Sequence, residues 1–104
     1  MSFQVRLTLE AEGDLLRLFD FALERELQRN GDLNLADKAL RAVMDGIATL
    51  RSSPFTCRKA SQSPFLRELV IAFGHTGYVA LFEIEGDSLV TVAAVRHQRE
   101  DDYH

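Results

Sequence analysis

The chain has 104 residues, of which 46% are hydrophobic, with a single cysteine and a formal net charge of −4. That length predicts one domain spanning residues 1–104, with one core. The apolar content is that of an ordinary soluble protein, and no apolar run approaches the roughly 20 residues of a membrane span. Arg6 and Glu10 interrupt any hydrophobic segment at the start, so no secretory signal is expected. Cys57 has no partner for a disulfide or a thiolate metal cluster, which fits a reducing cytoplasm. The acidic balance argues against a dedicated nucleic-acid binder, which carries a basic surplus to neutralise phosphates. Charge is unevenly distributed, however. From Arg51 to Arg67 there are four basic residues (Arg51, Arg58, Lys59, Arg67) and no acidic one. They form a local basic patch if the fold gathers them.

In chain order, Phe3, Val5 and Leu7 alternate with Gln4, Arg6 and Thr8, the period-2 pattern of a half-buried strand. Thr8 then suits a helix N-cap, with Glu10 and Glu12 where the dipole favours negative charge. The first helix is predicted from about Leu9 to Gln28 or Arg29. Ala11, Leu15, Leu18, Phe19, Ala22 and Leu27 lie near one stripe. Leu16, Phe21 and Leu23 widen it beyond what one packed face needs. Gly31 is the expected left-handed cap.

Asn34 is the predicted N-cap of the second helix, whose stripe is Ala36, Leu40, Val43, Met44, Ile47 and Leu50. Gly46 weakens that helix by about 1 kcal/mol unless close packing on the first helix offsets it. Ser52-Ser53-Pro54 stops it. A short link makes the two helices antiparallel neighbours. Residues 55–64 read as a polar, basic loop and 65–73 as the second strand. After a turn at Gly74-His75-Thr76-Gly77 come two further strands, Gly77 to Ile84 and Ser88 to Val95, around Glu85-Gly86-Asp87. The expected fold is α+β, in the order β-α-α-β-β-β. A small, mostly antiparallel sheet carries a helical hairpin on one face.

Chemistry-bearing residues are few. His75, His97 and His104 have no ligand at helical spacing, so no metal and no cofactor is expected. There is no phosphate-binding glycine loop and no nucleophile elbow. Glu83 and Glu85 share one strand face and read as solvated. The notable feature is the end of the last strand, where β-branched residues give way directly to Arg96, His97, Arg99 and Tyr103. His acts as general acid or base near neutral pH and Arg stabilises a phosphoryl transition state, which together suit RNA cleavage. The same residue types also anchor protein partners. The surplus apolar side chains of the first helix suit a partner groove.

Element order, Leu7-Thr-Leu-Glu-Ala-Glu-Gly-Asp-Leu15 at the first strand-to-helix junction, Leu66-Arg-Glu-Leu69, Gly77-Tyr78, and the stretch from Val92 to Asp102 together resemble the ParE/RelE superfamily of type II toxin–antitoxin toxins. The Val-Arg-His-x-Arg-Glu pattern in the last stretch is most similar to the ParE branch. RelE-like members are ribosome-dependent mRNA endonucleases with basic residues on the sheet. Here the position after Gly77-Tyr78 is Val79, and Leu69 to Phe73 lacks the lysines of that branch, leaving only Arg67 as a substitute.

The resemblance therefore implies a plasmid-stabilisation type toxin that is not an enzyme. It would poison DNA gyrase by binding, in the cytoplasm, without sequence-specific nucleic-acid contacts, and a cognate antitoxin would neutralise it. Arg96, His97, Arg99 and Tyr103 are the expected target contacts. Leu15, Leu16, Phe19, Leu23, Leu40 and Met44 are the expected antitoxin contacts. Two alternatives remain open at this point. One is a RelE-like endonuclease using Arg67, Arg96, His97, Arg99 and Tyr103. The other is a non-toxic interaction module of the same fold.

Overall fold

The computed structural model describes residues 2–60, 63, 65–74 and 76–98. Strand β1 (Gln4–Leu7) ends at Thr8, and the helix α1 (Leu9–Gln28) begins at once. Thr8 makes that sharp switch: its hydroxyl accepts from the Ala11 N–H at 3.1 Å and donates to the Ala93 carbonyl at 3.1 Å, while its own N–H donates to the Val92 carbonyl at 3.0 Å. The cap expected from the sequence thus also pins the helix start to the sheet.

α1 ends in a Schellman motif, but not with the expected residue. Asn30, not Gly31, takes the left-handed conformation (φ 52°). The Gly31 N–H closes the motif on the Glu26 carbonyl at 2.8 Å. Asn tolerates that conformation, and Gly31 is needed small instead, because a Cβ there would press on the Glu26 carboxylate. Glu26 is buried and bonded to the Arg29 Nε at 3.0 Å.

The second helix, α2 (Asn34–Ala48), continues as a 3-10 turn over Thr49–Arg51. Its cap also corrects the sequence reading. Asn34 is already helical, and Asp32 caps the helix by accepting from the Asn34 N–H at 2.9 Å. Gly46 lies against the sheet rather than α1: a Cβ there would meet Cγ1 and Cδ1 of buried Ile71 at 2.7 and 2.9 Å. Gly46→Ala would gain about 1 kcal/mol of helix propensity and lose about 1–3 by overpacking. A net loss near 1 kcal/mol is expected in chemical denaturation, and a gain in stability would contradict this packing.

Residues 55–64, expected as loop, hold a short 3-10 turn (Pro54–Thr56) and a two-residue strand, β2 (Arg58–Lys59). Strands β3 (Arg67–Phe73), β4 (Thr76–Glu85) and β5 (Leu89–His97) follow. Among the described residues the sheet order is β1-β5-β4-β3-β2, mixed rather than purely antiparallel, because β1 runs parallel to β5. The register shift at Leu81/Phe82 lets β5 keep its apolar side chains on one face across the irregularity. That face carries Val5, Leu7, Leu69, Ile71, Phe82, Val90, Val92 and Val95. The helices supply Ala11, Ala39, Val43, Ile47 and Leu50 to the same core.

Candidate functional site

Because paired residues share a face, the register fixes where each side chain stands. Tyr78 pairs with His97 and Val79 with Arg96, so Arg96 and His97 point to opposite faces. Arg96 is on the face away from the helices, in a row with Val79 and Val70. Val79 is 4% exposed and Val70 is 48% exposed.

Two further cations described on that face, Arg58 and Arg6, have carboxylate partners. Arg58 binds Glu68 at 2.5 Å. Arg6 donates to the Thr91 hydroxyl at 2.9 Å and reaches Glu85 at 3.3 Å. The Glu85 carboxylate also accepts from the Thr91 hydroxyl. That hydrogen bond, helped by Arg6, holds the Glu85 carboxyl below its ordinary value. A depressed carboxyl contributes stability above its unfolded-state pKa and loses it as pH falls through the folded one. Glu85→Gln should therefore flatten the acid side of the stability curve below about pH 4.5. An unchanged acid transition in pH-titrated melts would show that the carboxylate contributes nothing.

His97 is on the helix side. Its ring stacks edge-on to Tyr78 with centroids 5.4 Å apart, and Tyr78 in turn lies 6.4 Å from Phe73. Together with Leu18, Phe21, Ala22 and Ala39 these rings line a cleft of about 310 Å³, rimmed by Arg25, Glu26 and Arg29. Burial pushes the Tyr78 hydroxyl up, with Arg25 opposing.

Arg67 stands elsewhere. It pairs with Phe82, which places it on the helix side but at the far end of the sheet. The two rows, at Phe82 and Tyr78, are four steps apart along β4, about 13 Å of strand. Arg67 donates to the Cys57 carbonyl at 2.7 Å and lies 5.6 Å over the Phe55 ring. The grouping Arg67, Arg96, His97 is therefore not assembled: Arg67 is remote, and Arg96 and His97 are on opposite faces. Arg99 and Tyr103, the other members of that set, lie outside the described residues, as do His75 and His104.

The basic stretch is likewise divided. Arg58 is on the outer face against Glu68, while Lys59 pairs with Arg67. Burial also raises the Cys57 thiol, which makes it a sluggish nucleophile.

The expected antitoxin contacts fall into two groups. Leu15, Phe19 and Leu40 line the seam between the helices with Ala36, Ala39 and Val43. Leu23 is half-buried. Leu16 (68%) and Met44 (44%) are exposed. The sequence reading did not single out Leu9 (82% exposed), and it counted Phe21 (63%) only as surplus. Both line a groove with Ala93 to Arg96 of β5. The signal was available in Phe21, which lies about 160° around the helix from Phe19 and so cannot share its stripe.

A family model for the ParE toxin of type II toxin–antitoxin systems (parDE) matches residues 5–102. The chain belongs to the ParE toxin family. A solved structure described as the chromosomal ParDE TA system from P. aeruginosa superposes with a TM-score of 0.72 at 18% sequence identity. The superposition covers 92% of this chain and 96% of that one. That likeness concerns the fold alone. No curated protein matches by sequence at the same stringency.

Proposed function

We propose that this ParE-family chain is a toxin that inhibits DNA gyrase by binding in the cytoplasm, and that a cognate antitoxin neutralises it. The observation that carries the reading is the row Val70–Val79–Arg96 on the outer sheet face. A nuclease acting among phosphates needs several cations converging on one scissile bond. Here that row offers one arginine, buried Val79 and exposed Val70, Arg67 is on the other face, and Arg58 is bound to Glu68. An arginine next to apolar side chains suits a protein partner, where Arg is enriched among anchors.

Induced expression should halt DNA replication and trigger a DNA-damage response while mRNA stays intact over the first minutes. Purified protein should block supercoiling by gyrase. Early mRNA cleavage positioned on codons in the ribosomal A site would replace the binding reading with an endonuclease.

A further inference from the structure

Strand β1 covers only the first half of β5. Its pairing stops at Leu7↔Val92, so among the described residues β5 from Ala93 onward has no strand neighbour on that side. Between this uncovered stretch and one face of α1 runs a groove of about 960 Å³. Its α1 wall carries Leu9, Glu10, Asp14, Arg17, Leu18, Asp20, Phe21 and Glu24, and its floor is Ala93 to Arg96.

Three properties define what fits. The first is charge. Asp14 is used internally: it accepts from the Val95 N–H at 2.9 Å and pairs with Arg17. Glu10, Asp20 and Glu24 have no ion-pair partner among the described residues, so the wall facing the groove has acid to spare. The second is apolar surface. Leu9 and Phe21 are 82% and 63% exposed on that same wall, with half-buried Leu18 between them. The third is the state of the strand edge. The Thr8 hydroxyl already donates to the Ala93 carbonyl, and Asp14 already holds the Val95 N–H. Two of the main-chain groups that would template an added strand are therefore satisfied by side chains, a common way to blunt an edge. A helix, whose backbone is internally bonded, suits this groove better than a strand. From Glu10 to Glu24 the wall is about 21 Å long, which matches about four helical turns.

We propose that a cationic amphipathic helix of the antitoxin seats in this groove. Its basic side chains face Glu10, Asp20 and Glu24, and its apolar side chains cover Leu9, Leu18 and Phe21. The proposal rests on the antitoxin reading above and adds the sign and shape of the partner. Arg96 closes one end of the groove, so a helix seated there also covers the arginine proposed to meet the target.

The test uses the full chain and two probes. One is a fluorescein-labelled, helix-stabilised 16-residue peptide with Leu and Phe on one face and Lys on the other; its twin carries Glu for Lys. The second probe is the protein encoded by the adjacent reading frame. The Lys peptide should bind, and the Glu twin should bind at least tenfold more weakly. The triple variant Glu10→Lys, Asp20→Lys, Glu24→Lys should weaken the Lys peptide at least tenfold and the neighbour-encoded protein likewise. All three positions are exposed, and a cooperative thermal melt with unchanged helix content confirms that the variant folds. Phe21→Ala should weaken both probes while leaving salt dependence intact.

Equal binding of the two peptides, or no loss in the triple variant, overturns the proposal. If the neighbour-encoded protein neutralises toxicity equally well against the triple variant, the antitoxin reading stands and this groove is wrong. If that protein does not bind at all, the antitoxin reading is what fails, and the peptide pair still decides whether the groove selects a cationic helix.

Discussion

Gly77→Ala is expected to cost about 3 kcal/mol, more than any surface substitution in this chain. β4 begins right after the Gly74 turn, and there the strand passes so close to β3 that a Cβ at Gly77 would press on the main-chain carbonyl of Ile71, with the carbonyl carbon 3.2 Å away and the Gln98 side chain at 3.1 Å. At Gly46 the obstacle is a side chain, which can give a little. At Gly77 it is backbone, and relief means shifting a strand that seven cross-strand pairs hold in register. Overpacking of a well-packed region costs about 1–3 kcal/mol, and loosening the β3–β4 pairing beside buried Ile71 and Tyr78 puts this case at the top of that range. In a domain of this size about 3 kcal/mol lowers the melting temperature by more than 10 °C. A melt within 2 °C of the parent would show that the two strands are not held this tightly.

Arg96→Ala should leave the fold intact and remove most of the toxicity. The side chain is half-buried on the sheet face away from the helices and is not part of the apolar cluster that forms the core. Loss of a hot-spot contact costs about 2 kcal/mol or more, so inhibition of gyrase supercoiling should need roughly 30-fold more protein. His97→Ala gives the contrasting result. It removes an edge-to-face contact with Tyr78, worth about 0.5–1.5 kcal/mol, and should lower stability with a smaller effect on inhibition per folded molecule. Growth inhibition and thermal melts of both variants separate the two roles. Full toxicity in Arg96→Ala would place the active surface elsewhere, whereas full toxicity after deletion of residues 97–104 would show only that Arg99 and Tyr103 are not needed.

These contrasts rest on register, which periodicity alone does not supply. The alternation of Phe3, Val5 and Leu7 marked a strand, and the Leu15 and Val43 stripes marked two helices, because burial imposes those periods locally. The Thr8 cap was legible because its partner is three residues away. What escaped depends on distant chain. That β1 lies parallel to β5, 85 residues on, is a matter of topology. That Arg67 shares a face with Phe82 follows from a pairing across a loop. The two-residue strand at Arg58–Lys59 is too short to show a period. Gly46 was expected to face α1, but only the assembled layers reveal that Ile71 is what it makes room for. The left-handed position is Asn30, and Gly31 is held small by the Glu26 carboxylate, a contact invisible in a helix-ending Asn-Gly pair.

The same pairing of β1 with β5 sets a clock on the newborn chain. The strand made last among those described is an inner strand of the sheet: it supplies Val90, Val92 and Val95 to the core and is the only strand that β1 touches. Until residues 89–97 have been made, β1 has no partner, Thr8 has nothing to anchor the first helix to, and the edge of β4 is bare. At about 5–20 residues per second, the 85 residues between Gln4 and Leu89 take about 4–17 s to translate. For that interval the nascent protein holds neither the arginine row nor the groove beside it, so neither of the two proposed contact surfaces exists until translation has passed residue 97.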